Sequence, residues 1–82
     1  MPRIRYWAAA KTAAGVQEEW YDATTLGDLV EAAKAAHGDP LSTVLDRCSW
    51  IVDEAPIGGR DHASVTLSAG STAEALPPFA GG

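Results

Sequence analysis

Cysteine occurs once in the 82 residues, at Cys48, which excludes an internal disulfide and any zinc site built on cysteines. Its neighbours Leu45 and Trp50 are apolar, so Cys48 reads as a small buried hydrophobe rather than a reactive thiol. Positive charge is also scarce. Six Lys and Arg stand against eleven carboxylates, a formal charge of -5, whereas binding to a phosphate backbone asks for a basic footprint. No apolar run approaches membrane-spanning length, and no basic segment leads into an apolar stretch at the N-terminus. A cytoplasmic location is expected. Histidine occurs only at His37 and His62, without His-x-x-x-His spacing or clustered carboxylates, so both read as surface structure rather than as a base or a metal ligand.

Other chemical signatures are missing too. Asp53-Glu54 resembles an acid pair, but adjacent side chains on a strand point to opposite faces, and a solvated turn fits better. Gly58-Gly59 lacks the strand, helix and lysine of a phosphate loop. The residues offer no catalytic cluster, and a chain of this length supports one small domain with a modest core. Alanine supplies much of the 46% hydrophobic content, so the core must come from scattered Ile, Val, Leu, Trp and Tyr.

What is present is a clear order of elements. Arg3-Ile4-Arg5-Tyr6-Trp7-Ala8 alternates, placing Ile4, Tyr6 and Ala8 toward a core and Arg3, Arg5 and Trp7 on the other face. Lys11 to Gly15 breaks that pattern as a turn, and Val16 to Tyr21 comes next as the second strand of a hairpin. Trp20 and Tyr21 are adjacent and cannot both point inward. Thr25-Leu26-Gly27-Asp28 has the layout of a capped helix start. Leu26, Leu29, Val30 and Ala33 form its apolar stripe, and His37-Gly38 ends it. Asp39-Pro40 opens a further turn or two of helix with Leu41, Val44, Leu45 and Cys48 facing the core. Trp50-Ile51-Val52 reads as a strand, residues 53–56 as its turn, Val65 to Leu67 as another strand, and Ala73 to Leu76 as the last. The pattern predicts an α+β, two-layer fold with one main helix.

The chain then runs Leu76-Pro77-Pro78-Phe79-Ala80-Gly81-Gly82, "LPPFAGG". Pro77-Pro78 removes two backbone donors and favours an extended path. Phe79 offers an apolar grip, and Ala80-Gly81-Gly82 is slim enough to thread a narrow channel. An inert, frayed end is the bland alternative. The division expected is a domain over residues 1–76 and an extended, flexible C-terminal tail over 77–82.

These segments, "RIRYWAAAKTAAG", "TTLGDLVEAA", "WIVDEAPI" and above all "LPPFAGG", resemble the β-grasp, ubiquitin-like sulfur carriers, most closely the small subunit of molybdopterin synthase. The resemblance implies a mixed sheet around one main helix. It implies that the Gly82 carboxylate is adenylated by a ubiquitin-activating-type enzyme and converted to a thiocarboxylate. The tail, through Gly81, Ala80 and Phe79, then enters the large synthase subunit, where the sulfur passes to a pterin precursor in molybdenum cofactor biosynthesis. Leu76 and Trp7 fall at positions that touch that subunit. Such a carrier is a non-catalytic part of a sulfurtransferase complex. It binds no cofactor tightly; the ATP belongs to the activating enzyme. Related carriers for thiamine or cysteine biosynthesis, and protein-conjugating modifiers, share the pattern. Ser71-Thr72 and the small Ala73 and Ala75 depart from it, so the last strand is expected to contribute thinly to the core.

Overall fold

The computed structural model describes residues 1–78. In chain order the elements are β1 (Arg3–Tyr6), α1 (Ala8–Ala14), β2 (Glu18–Trp20), α2 (Leu26–His37), α3 (Leu41–Leu45), β3 (Ser49–Val52), β4 (Ala55–Pro56), a single 3-10 turn (His62–Ser64) and β5 (Thr72–Leu76). The five strands form one sheet in the order β2-β1-β5-β3-β4. β1 and β5 run parallel, and the other neighbours are antiparallel. This mixed sheet around α2 is the β-grasp arrangement expected from the sequence.

Alternation along β1 buries Ile4 and Tyr6, while Arg3 and Arg5 stay half-exposed on the other face. From across the sheet Trp50, Ala73 and Ala75 join the buried side, against Leu26, Leu29, Val30 and Ala33 of α2. That helix is capped as its sequence predicts: the Asp28 amide donates to Thr25 Oγ1 over 3.1 Å, and the Gly38 amide closes the last turn on Lys34 O. Leu41 and Leu45 of α3 and Ala10 of α1 complete one end of the core.

Four expectations need correction. The alternation of β1 stops at Tyr6. Ala8 is exposed and opens α1, and residues 11–14 are helix rather than turn. An alanine-rich run favours helix once it leaves the sheet, and Gly15, with φ 78°, supplies its left-handed cap. The second strand, expected over Val16 to Tyr21, shortens to Glu18–Trp20; there Trp20 lies opposite Arg3 on the open face, which leaves the inner position to Tyr21. Residues 53–56 divide: Asp53 and Glu54, with φ of 50° and 70°, make the tight turn, and Ala55–Pro56 returns as β4. Val65 and Leu67 are both buried, as alternation predicts, yet join no ladder of the sheet. The Leu26 amide donates to Val65 O and the Leu67 amide to Thr24 O, both over 2.9 Å, so the segment zips onto the lead-in of α2 instead.

β5 is also more central than its composition suggests. It is the only strand paired to both β1 and β3 among the described residues, and Ala73 and Ala75 are fully buried.

Candidate functional site

Because β5 lies in the middle of the sheet, the chain leaves the domain from the centre of an edge rather than from a corner. Leu76 pairs with Ser49 of β3. On the opposite side, the pairing of Tyr6 with Ala75 brings Trp7 next to Leu76, and the Trp7 amide donates to Ala75 O over 3.3 Å. The two domain residues expected to touch a partner therefore meet at the root of the tail. Phe79, Ala80, Gly81 and Gly82 lie outside the described residues.

Trp7 is 40% exposed, but it is held in place. Its indole N–H donates to Glu74 Oε1 over 3.1 Å, and the Arg5 guanidinium lies 5.3 Å from the ring centroid. A cation over an indole face is attracted by the ring quadrupole. The ring is thus bracketed by a carboxylate and a guanidinium. Sequence reading singled out Trp7 and Leu76 as candidates and placed Arg5 on the same face as Trp7; it missed Glu74, which becomes a neighbour only through the β1–β5 pairing.

The rest of this face is a lattice of opposite charges. Glu18 Oε2 lies 3.3 Å from Arg3 Nη1 and 3.6 Å from Arg5 Nε, and Arg3 also donates twice to Thr72 Oγ1. At its far end Asp53 accepts from the Ser71 hydroxyl and the Thr72 amide, each over 2.9 Å. Asp53 therefore braces the start of β5 and is no half of an acid pair.

On the other side of Leu76 lies a groove of about 480 Å³, with walls that include Trp50, Pro56, Ile57, His62 and Leu76. It opens where β4 leaves β3. The Ile57 amide still donates to Trp50 O over 3.1 Å. His62 is half-buried, edge-on to Trp50 with ring centroids 6.1 Å apart, rather than free on a polar loop.

His37 departs further from a plain surface role. Its Nε2 lies 2.6 Å from Glu19 Oε1, the same oxygen that accepts from Tyr6 Oη over 2.8 Å and Tyr21 Oη over 3.1 Å. Burial pushes the Glu19 carboxyl upward, but the bonds from His37, Tyr6 and Tyr21 outweigh it and hold the group below its ordinary value. Burial and the Glu19 bond push the Tyr6 hydroxyl well above the ordinary phenol range. This knot ties the end of α2 to the first hairpin, on the face of the sheet opposite Trp7. Cys48 donates to Val44 O over 3.4 Å, and burial pushes its thiol up to about 11, so little nucleophilic thiolate forms near neutrality.

Among the described residues no group of three or more His, Cys, Asp or Glu is placed to hold a metal ion, and no helix is long and apolar enough to cross a membrane. What the arrangement offers is a rigid presentation: a braced tryptophan and a leucine flanking the point from which the tail departs.

No family model matches the chain, and no curated protein matches it. Solved structures do. SAMP1 of Haloferax volcanii, small archaeal modifier protein 1, superposes with a TM-score of 0.81 at 21% identity, covering 99% of this chain and 98% of that one. A putative molybdopterin converting factor subunit 1 from Pyrococcus furiosus gives 0.73 at 20% identity, over 95% of this chain and 97% of its own. A complex of subunits 1 and 2 of molybdopterin-converting factor from Helicobacter pylori gives 0.69 at 22% identity, over 99% and 97%. At these identities the likeness establishes a shared fold. The chain has the ubiquitin-like β-grasp fold.

Proposed function

We propose that this protein is a ubiquitin-like sulfur carrier whose reactive group is the carboxylate of Gly82, serving molybdopterin synthesis as the small subunit of the synthase. The observation that carries the reading is the placement of β5. The central strand delivers Leu76, Pro77 and Pro78 beside the braced Trp7, and the sequence continues as Phe79-Ala80-Gly81-Gly82. The likeness in fold to a molybdopterin converting factor subunit 1, and to one in complex with its subunit 2, supports a large-subunit partner.

The chemistry asks little of the carrier. A carboxylate is a poor electrophile because its oxygen is a poor leaving group. Attack of a Gly82 oxygen on the α-phosphorus of ATP releases pyrophosphate and leaves an acyl adenylate. A sulfur nucleophile at the level of hydrosulfide then adds to the acyl carbon. AMP departs with the former carboxylate oxygen, and a thiocarboxylate remains. An adenylating enzyme supplies the ATP site, and the cytosol is where we place the reaction. The carrier's own residues present the tail: Trp7 and Leu76 dock, while Phe79, Ala80 and Gly81 thread a channel without side-chain obstruction.

The test is a mass measurement on protein incubated with an adenylating enzyme, ATP and a sulfur source. Replacement of one oxygen by sulfur at Gly82 is the expected result. A variant with one alanine appended after Gly82 moves the carboxylate ~3.5 Å outward and should lose adenylation. An unmodified Gly82, or full activity in the extended chain, would overturn the reading. The superposition on SAMP1 favours a second reading, a protein-conjugating modifier, in which a lysine amine displaces AMP. A Gly82-linked lysine in place of the thiocarboxylate would select it. Consumption of the sulfur in thiamine or cysteine synthesis would appear as capture of a different acceptor enzyme by the thiocarboxylated protein.

A further inference from the structure

The groove beside β3 is unfilled by any described side chain, and its inner wall is the residue from which the tail departs. Leu76 belongs both to β5 and to the groove; Pro56 and Ile57 face it from the β4 side, and Trp50 and His62 close it. These walls suit an apolar side chain. Phe79 is the one large apolar residue after Leu76, and three residues of chain reach up to ~10 Å. Pro77 and Pro78 limit the conformations open to that short link, so seating Phe79 costs little additional ordering. Among the residues lining the groove only His62 can carry positive charge, so nothing there competes for the carboxylate of Gly82.

We propose that this groove is a resting dock for the protein's own tail, with the Phe79 ring seated between Leu76, Pro56 and Ile57 and Ala80-Gly81-Gly82 projecting beyond it. Docking would hold the reactive end against the domain until an activating or acceptor protein draws Phe79 out. The proposal rests on reading residues 77–82 as a functional tail, but not on sulfur being its cargo.

The test is nuclear magnetic resonance on the full chain and on Phe79→Ala, a change outside the folded elements. In the full chain the backbone order parameter at Phe79 should approach the ~0.85 of rigid backbone, falling below about 0.6 at position 79 in the variant. The Trp50 indole N–H and the Ile57 and Leu76 methyl resonances should shift between the two. Ser49→Glu, which puts a charge on the exposed neighbour of Leu76, should release position 79 in the same way. A mobile Phe79 in the full chain would overturn the proposal and leave the groove to water or to a segment of a partner. An ordered Phe79 with unchanged groove resonances would overturn it as well, since the tail would then lie elsewhere. Failure of the sulfur reading gives a different result: a docked tail whose Gly82 never gains sulfur.

Discussion

Glu19 Oε1 receives hydrogen bonds from both tyrosines and meets His37 Nε2, so one oxygen joins two strands' worth of chain to the end of α2. Its carboxyl titrates below the ordinary value in the folded protein. Its contribution to stability is therefore complete above the unfolded carboxyl value, about 4.3, and is lost as pH falls through the lowered folded value. Tyr6 works in the opposite sense. Its hydroxyl titrates higher when folded, so its contribution is complete below the unfolded phenol value near ~10 and fades as pH rises beyond it. Glu19→Gln should cost about 1–3 kcal/mol near neutrality, measured by urea unfolding, because it removes the charged acceptor of a part-buried network. The same variant should flatten the acid side of the stability–pH curve and soften the alkaline loss without abolishing it, since burial as well as Glu19 raises Tyr6. An unchanged acid limb would show that the knot is not the acid-labile element. The sequence carries no local sign of this knot. Tyr6, Glu19 and His37 are scattered along it, and only the pairing of β1 with β2 and the length of α2 bring them to one oxygen.

Local signals predicted elements well where the forming interactions are themselves local. Thr25, Asp28, the Leu26-Leu29-Val30-Ala33 stripe and Gly38 all lie within one helix, and α2 begins and ends where they place it. The alanines after Trp7 misled because strand alternation and helix propensity overlap there, and the end of the β1 ladder decides between them. Val65 and Leu67 showed real burial but could not reveal what they bond to, which is the segment before α2. β5 is the instructive case. Ala73 and Ala75 looked like a weak strand by size, yet both are fully buried, and α1 packs against β5 as well as β1. Small side chains at a central strand mark a close approach by the layer above. Ala75→Leu should therefore destabilise by about 1–3 kcal/mol through overpacking, rather than stabilise by added apolar area. Thermal and urea unfolding give the sign. A rise in stability would mean that the space over β5 is loose.

At the scale of the whole molecule, the helices sit against one side of the sheet, and the other side keeps Arg3, Arg5, Glu18, Glu74, Trp7 and Leu76 accessible or half-accessible. The charges there are largely paired with one another, so the face is ordered and carries two exposed tryptophans, Trp7 beside the start of the tail and Trp20 at the β2 edge. Trp7→Ala should weaken binding to a large synthase-type subunit by at least ~1 kcal/mol, measured calorimetrically, with a folded-state spectrum little changed. Equal affinity would remove Trp7 from the docking surface. The tail motif and Trp7 were readable as candidates because they stand out in composition. The groove was not, since its walls come from β3, β4, the 3-10 turn and β5 together.

The parallel pairing of β1 with β5 has a consequence for how the chain comes to be folded. Without β5, the sheet is two separate pairs, β2–β1 and β3–β4, with no ladder between them. The strand that bridges them is the last of the five to leave the ribosome, and its partner Arg3 was made nearly a whole domain earlier, across 69 residues to Thr72. Closing so long a loop is slow relative to forming a local hairpin. Assembly of the central ladder and display of the residues beyond Leu76 are therefore a single event. A half-made or misassembled chain has no inserted β5, and so no mounted point from which Pro77 and Pro78 can leave the sheet.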